Sequence, residues 1–238
     1  MLDYNTTQST IGARGAAIDE GLRTHMNKVY GLMSVGLAVT GIVAYLIGSN
    51  PALIATIFGT PLKWVAMFAP LVVVMVFSAT IHKMSESTAQ AVFYGYAALM
   101  GLSISFIFAV YTGVSVAQTF FVTAIAFSSL SIYGYTTKRS LSAMGGFLLM
   151  GVVGLIVASI VNMFLQSGGL SFAISVLGVL IFAGLTAYDT QKIKNEYLEM
   201  VHSGSDFMGK AAILGALTLY LDFLNLFMFL LRFMGNRD

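Results

Sequence analysis

The sequence predicts an all-α membrane protein, and its composition and hydropathy pattern carry that prediction. Of the 238 residues, 58% are hydrophobic and only 9% are charged, and the mean hydropathy is +0.86. A soluble domain carries far more charge than this. Seven apolar runs approach the length of a membrane-spanning helix, and none shows the ten-residue alternation of an outer-membrane β-barrel strand. The net charge of +2 gives no indication of a nucleic-acid partner.

The predicted spans follow one another along the chain after a polar start. Residues 1–27 lack the apolar core and cleavage site of a signal peptide, so the first apolar run should stay in the protein. We expect residues 1–27 to form a cytoplasmic N-terminal segment and residues 28–238 to form a seven-helix transmembrane domain. About 20 helical residues cross the hydrocarbon core of a bilayer. The spans are expected at residues 28–48, 62–81, 89–111, 116–136, 145–166, 170–189 and 210–232.

Lysine and arginine residues are distributed unevenly between the two predicted sides of the membrane. Nine of them fall on the side of the N-terminal segment, and only Lys63, Arg232 and Arg237 fall on the other. Cytoplasmic loops carry an excess of these residues, which predicts a cytoplasmic N-terminus. Arg232 and Arg237 leave open whether the last span crosses the membrane fully. Trp64, beside Lys63, is predicted to lie at the outer interface.

The seventh predicted span contains a carboxylate near its middle. On a helical wheel, Asp222 shares one face with Gly215, Thr218, Asn225 and Arg232. A charged group at bilayer depth is costly, so this face should point into the bundle or into a wet cavity. Interhelical hydrogen bonding would also explain these polar residues, without any role in transport.

Asp189 is the second carboxylate within an apolar span, and it lies on the preceding helix. It shares a face with Thr186, but Lys192 follows closely, so an interfacial charge at the end of the span is an alternative interpretation. The two depths do not match readily, because Asp222 lies 12 residues past Lys210, about 18 Å along a helix. If the polar faces do meet, the two carboxylates cannot both ionise cheaply and would share a proton. Such a pair would act as a proton-sensitive latch.

The oxygen atoms around this pair would suit a hard cation that binds weakly. Calcium takes several oxygen ligands, and weak binding lets a conducted ion leave. The chain has no cysteine, and its histidines lack partners at ligand spacing, which argues against a zinc site. We therefore predict no cofactor or structural metal, and only a cation in transit, whose identity these residues do not specify. Its transient site would be Asp189 and Asp222, and the predicted accessory residues are Thr186, Thr218, Asn225 and His82.

Two C-terminal segments, AYDTQKIK and ALTLYLDFLNLFMFLLRFMGNRD, resemble the signature of the Bax inhibitor family, the transmembrane Bax inhibitor motif proteins, in its bacterial branch. The resemblance implies two three-helix groups around a central seventh helix, and a pH-sensitive calcium leak. It matches the paired aspartates of the family to Asp189 and Asp222. Members often have a basic residue late in the second helix, where this chain has Thr80, with His82 and Lys83 nearby. The similarity extends through AIDEGLRTHMNKVYGLMSVGLAVTG, PLKWVAMFAPL, KMSESTAQAVF, YGYTTKRSLSAMGGFLLMG and FAISVLGVLIFAGLTAYDTQ.

The predicted function is therefore a pH-regulated calcium leak channel of the bacterial inner membrane, with no enzymatic activity. Its expected partners are the lipid bilayer, calcium ions and protons. The alternative is a non-transporting interaction protein that modulates a membrane protease or a stress or cell-death partner. An intramembrane aspartyl protease is disfavoured because the Gly-x-Gly-Asp pattern is missing before Asp222, and a retinal protein because Lys210 stands only at the start of the last span.

Overall fold

The computed structural model describes residues 4–203 and 207–236, with side chains for residues 18–201 and 207–236. These ranges contain nine α-helices, one 3₁₀ turn at Ile81–Lys83 and no β-strand. Seven helical segments are long and apolar enough to cross a membrane, which confirms the all-α, seven-span fold class. The helices are α1 (Tyr4–Gly48), α2 (Pro51–Phe58), α3 (Leu62–Thr80), α4 (Glu86–Ile104), α5 (Ile107–Val110), α6 (Gly113–Thr136), α7 (Ser142–Leu165), α8 (Gly168–Ser203) and α9 (Met208–Met234).

The spans correspond one to one with the predicted apolar runs, although several ends differ. The third predicted span is divided into α4 and α5. The predicted domain boundary after residue 27 falls inside α1, which continues through it, so that division stays a prediction. Arg237 lies outside the described residues. The observed spans are Ile18–Gly48, Leu62–Lys83, Glu86–Val110, Gly113–Thr136, Ser142–Leu165, Gly168–Val201 and Met208–Met234.

A short helix, α2, connects the first two spans and was not expected from the apolar runs. The side-chain oxygen of Asn50 accepts hydrogen bonds from the backbone N–H groups of Ala52 and Leu53. Pro51 occupies the first turn, where its missing N–H costs nothing. The Asn-Pro pair is therefore a sequence signal for the start of a helix, but a helix of eight residues is too short to be predicted as a membrane span.

Helix α8 ends later than the apolar pattern predicts. The predicted sixth span stops at residue 189, whereas the helix continues to Ser203. Its extension carries charged side chains at helical spacing, and Lys192 pairs with Glu196 at 3.8 Å, so the helix persists where the apolar run has ended. Asp189 thus lies 14 residues before the end of α8, and Asp222 lies 14 residues after the start of α9. Because α8 and α9 form an antiparallel hairpin, the two aspartates lie at matching depths.

Helix α9 is the most buried of the described spans. In its most apolar window 61% of the residues are buried, whereas the other described spans reach at most 33%. It packs against α1, α4, α6 and α8, and the side chains of Ile213, Leu219 and Tyr220 are fully inaccessible. Around it, α4 contacts α1 and α3, and α8 contacts α6 and α7. The finer division into two three-helix groups stays a prediction.

Candidate functional site

Helices α8 and α9 meet along the two faces that the sequence analysis singles out. A Cβ atom at Gly178 of α8 would lie 2.4 Å from the ring of Phe229, and one at Gly215 of α9 would lie 3.2 Å from Ile193. The missing side chains therefore let the two helices approach closely. This register places the two aspartates opposite each other, between the two glycine contacts.

The carboxyl groups of Asp189 and Asp222 lie within hydrogen-bonding reach of each other. Both are buried, with exposed fractions of 9% and 5%. A hydrogen bond between two carboxyl groups needs a proton on one of them, so the pair can form this bond only while it holds a proton. Without it, two negative charges would face each other in a site of low polarity. Within the described part of the chain, Oδ2 of Asp222 has no hydrogen-bond partner, which leaves that oxygen available to a proton or a cation.

The three predicted accessory residues on these helices lie one turn from an aspartate. Thr186 precedes Asp189, while Thr218 and Asn225 flank Asp222. Each donates its hydroxyl or amide hydrogen to the backbone carbonyl four residues earlier, at 2.8, 3.1 and 2.8 Å respectively. These bonds use the two hydroxyl hydrogens and one amide hydrogen, and the hydroxyl and amide oxygens keep acceptor capacity that a cation can use.

A calcium ion at the pair would need further ligands. Calcium takes about six to eight oxygen atoms, and the described residues contain no cluster of three or more acidic or histidine side chains that could hold a metal. Backbone carbonyls and water would have to complete the coordination. The site therefore suits a cation in transit better than a resident one.

His82 lies away from the aspartate pair. Its ring stacks on Phe207, with the ring centroids 4.8 Å apart, and Lys210 donates a hydrogen bond to its carbonyl oxygen at 3.1 Å. Lys210 precedes Asp222 by 12 residues, about 18 Å along α9. The structure thus does not bring His82 to the pair. Thr80, where the family often has a basic residue, bonds within its own helix.

Charged side chains near the pair come instead from α8 itself. Lys192 and Glu196 are half-exposed and act electrostatically on Asp189. They follow it by one and two helical turns, so the charged extension of α8 reaches the site. Beside them lies a polar cavity of about 260 Å³, lined by Ser142, Tyr188, Gln191, Lys192, Asn195, Glu196 and Glu199.

A chain of hydroxyl groups ends beside Asp189, and the sequence patterns did not predict it. The hydroxyl groups of Tyr30 on α1 and Ser131 on α6 lie 2.5 Å apart, and Ser131 lies 2.9 Å from the hydroxyl group of Thr190 on α8. Thr190 is fully buried, and its hydroxyl group donates a hydrogen bond to the carbonyl oxygen of Thr186 at 2.7 Å. The spacing of Thr186 and Thr190 along one helix is a signal, but the chain depends on three different spans.

A second buried polar cluster joins α9 to α1 and α4. The hydroxyl group of Tyr220 lies 2.7 Å from that of Thr40. Thr40 in turn lies 2.8 Å from the carbonyl oxygen of Ala97 and 3.0 Å from that of Gly36. Tyr220 therefore donates to Thr40, and Thr40 shares its single hydroxyl hydrogen between the two carbonyls. Asp222 lies two residues beyond Tyr220, on another face of α9.

These features define a class of protein: a seven-span helical membrane protein with a buried pair of carboxyl groups between its last two helices. The sequence model of the family described as "Inhibitor of apoptosis-promoting Bax1" matches residues 22–238. The chain therefore belongs to the Bax inhibitor family.

Bacterial relatives align with the chain over most of its length. The inner membrane protein YbhL of Escherichia coli (strain K12) is 47% identical over 218 residues, which cover 91% of this chain and 93% of YbhL. Protein RP147 of Rickettsia prowazekii is 45% identical over 238 residues, covering 100% and 99%. A Caulobacter vibrioides protein is 48% identical over 234 residues, covering 93% and 92%. Together with the seven apolar helices, the likeness to YbhL supports a multi-pass protein of the bacterial inner membrane, and the orientation of its N-terminus stays a prediction.

Proposed function

We propose that this protein is a pH-regulated calcium leak channel in which Asp189 and Asp222 form a proton-sharing gate. The observation that carries the proposal is the close approach of these two buried carboxyl groups, which lie within hydrogen-bonding reach. While they share a proton, a hydrogen bond joins α8 to α9. Loss of the proton leaves two negative charges in a buried site, and their repulsion weakens this helix contact.

A divalent cation can take the place of the lost proton between the two carboxylates. Calcium is a hard cation that binds oxygen, and the acceptor oxygens of Thr186, Thr218 and Asn225 lie one turn away. Two carboxylates supply only part of its coordination, so the ion binds weakly enough to move on. Membership of the Bax inhibitor family supports calcium as the transported ion. The proposal assigns no chemical reaction and no resident cofactor.

Calcium flux into liposomes that contain only the purified protein tests the proposal between pH 5 and pH 8. The variants are Asp189→Asn, Asp222→Asn and the double variant. An asparagine amide can donate to the remaining carboxylate without a shared proton, so the contact persists at every pH. We expect the pH response of the flux to flatten in both single variants, and the double variant to add little because the two groups act as one unit.

The matched control is Glu199→Gln, which removes an exposed carboxylate from the charged extension of α8 and leaves the pair intact. It should keep the pH response of the wild type. Independent, additive shifts in the two aspartate variants would contradict the shared gate, and an unchanged pH response in all of them would reduce the pair to a packing role. If the wild-type protein conducts no calcium at any pH, a non-transporting interaction protein is favoured instead.

A further inference from the structure

A lateral groove separates α1 from α6 and runs along much of the bundle. Three adjoining cavities of about 600, 270 and 600 Å³ form it. Ser34 and Phe127 line both the first and the second cavity, and Ala38 and Phe120 line both the second and the third. Phe223 of α9 contributes to the floor. Because Ser34 and Ala38 are exposed, the groove opens sideways, toward the bilayer.

The groove changes from polar to apolar along its length. At one end it is lined by Arg23, Asn27, Tyr30 and Tyr135, whereas apolar side chains dominate the middle and the far end. Arg23 and Ser34 are 11 residues apart on α1, which corresponds to about 16 Å along the helix. Half of the hydrocarbon core of a bilayer is about 15 Å thick. The first part of the groove therefore matches one leaflet in both length and polarity.

Arg23 lines the polar end of the groove, and other basic residues lie beside Tyr135, which also lines it. Arg23 is exposed there, and its guanidinium group lies 3.8 Å from the carboxylate of Glu20 on the same helix. Lys194 donates a hydrogen bond to the Tyr135 carbonyl at 2.8 Å and lies 5.1 Å from the centre of the Tyr135 ring. Two further basic residues, Lys138 and Arg139, follow directly after the end of α6. This charge favours an anionic group at the membrane surface.

We propose that the groove binds one anionic phospholipid, with its phosphate at Arg23 and Asn27 and an acyl chain along α1 and α6. Guanidinium and amide N–H groups are suitable donors to phosphate oxygens, and the hydroxyl group of Tyr135 at this end can donate a further hydrogen bond. The apolar middle of the groove, between Ala38 and Phe120, accommodates the end of the acyl chain. The site does not depend on the proposed ion leak, since no aspartate takes part in it.

Quenching of tryptophan fluorescence by brominated lipid tests this site in the full chain. The variant Trp64→Phe removes the single tryptophan. In that background, Ser128→Trp places a reporter in the groove, and Ile125→Trp places one on an outer surface of α6, where Ile125 is 70% exposed. In phosphatidylcholine bilayers with a minor share of brominated phosphatidylglycerol, we expect stronger quenching at position 128. Brominated phosphatidylcholine calibrates the difference in depth.

Charge removal identifies the contact with the headgroup. Arg23→Gln should lower the enrichment of phosphatidylglycerol at position 128 about fivefold, the effect of one basic residue at a membrane surface. Lys83→Gln is the matched control, because Lys83 is an exposed basic residue outside the lining of the groove. Equal enrichment at positions 125 and 128 would overturn the proposal, as would an equal loss in both charge variants.

Native mass spectrometry of the unaltered protein gives a second measurement. From an equimolar mixture of phosphatidylglycerol and phosphatidylcholine, we expect one retained phosphatidylglycerol per chain after the more loosely bound lipids are stripped. Equal retention of both lipids contradicts the site. A lipid-free dimer also contradicts it, because a second copy of the chain would then be the occupant of the groove.

Discussion

Two buried polar clusters lie two residues apart on α9 and differ in how completely their hydrogen bonds are satisfied. Tyr220 is fully buried, and its hydroxyl group forms a neutral chain through Thr40 to two backbone carbonyls. Asp222 is nearly as buried, but a bond to Asp189 would need a proton on one of the two carboxyl groups, and one oxygen of Asp222 has no partner within the described residues. Two side chains that are similarly buried on one helix therefore differ in whether their hydrogen bonds are complete. The tyrosine cluster consists of neutral groups that need no proton change, whereas the proposed function requires the aspartate pair to change its protonation state.

The largest expected effect comes from the close glycine contact that accompanies each cluster. A Cβ atom at Gly101 would lie 2.6 Å from the Thr40 carbonyl oxygen, and one at Gly134 would lie 2.2 Å from the Ala187 carbonyl oxygen. Because backbone cannot yield as a side chain can, Gly101→Val and Gly134→Val should each lower stability by about 1–3 kcal/mol or more. Thermal unfolding in detergent measures this loss.

Two other glycines serve as controls for these variants. A Cβ atom at Gly95 of α4 or at Gly146 of α7 would meet nothing within 4 Å. Gly95→Val and Gly146→Val should therefore unfold close to the wild-type temperature. If all four valine variants melt alike, helix propensity and not close approach determines the effect.

The spans and the contact between the last two helices could be predicted from the sequence. The length of the apolar runs was sufficient to predict the seven spans. The faces of small and polar residues on the last two spans predicted where α8 and α9 meet. The depth mismatch of Asp189 and Asp222 disappeared because α8 continues beyond its apolar run to Ser203. Hydropathy marks the end of the apolar surface, and a helix with paired charges need not end there.

Sequence patterns could not predict the contacts between spans that are distant along the chain. Thr40 and Tyr220 are 180 residues apart along the chain, and each is unremarkable on its own helix. The chain from Tyr30 through Ser131 to Thr190 likewise requires three helices to pack in one arrangement. Periodicity within one helix predicts which face is polar, but it does not predict which other helix that face will contact.

An intermediate effect distinguishes the two clusters directly. Tyr220→Phe removes one hydrogen bond and leaves Thr40 with its carbonyl partners, so we expect a loss of about 1 kcal/mol. Because no group in this cluster needs to gain or lose a proton, the loss should be the same at pH 5 and pH 8. Thermal unfolding of the purified protein at both pH values measures it.

Asp222→Asn should instead change how stability depends on pH. In the proposed function the folded pair holds a proton that an unfolded aspartate has lost above about pH 4. Folding of the wild type should then take up that proton, so its stability should fall as pH rises. The variant needs no such proton, and its stability should vary less between pH 5 and pH 8. A parallel loss in Asp222→Asn, or a pH-dependent loss in Tyr220→Phe, would remove the distinction between the clusters.

The smallest expected effect concerns the hydroxyl chain that starts at Tyr30. Tyr30→Phe leaves Ser131 bonded to Thr190, and an interhelical hydrogen bond within a membrane contributes on average about 0.6 kcal/mol. Since the chain consists of neutral hydroxyl groups, it belongs with the tyrosine cluster, and the variant should lose this small amount equally at pH 5 and pH 8. The pH midpoint of calcium flux should stay at the wild-type value. Tyr133→Phe is the matched control, because Tyr133 is 50% exposed on α6. A shifted midpoint in Tyr30→Phe alone would instead make the hydroxyl chain part of the proposed gate, since Thr190 directly follows Asp189. The part of the protein that responds to pH would then extend from α8 and α9 across α6 to α1.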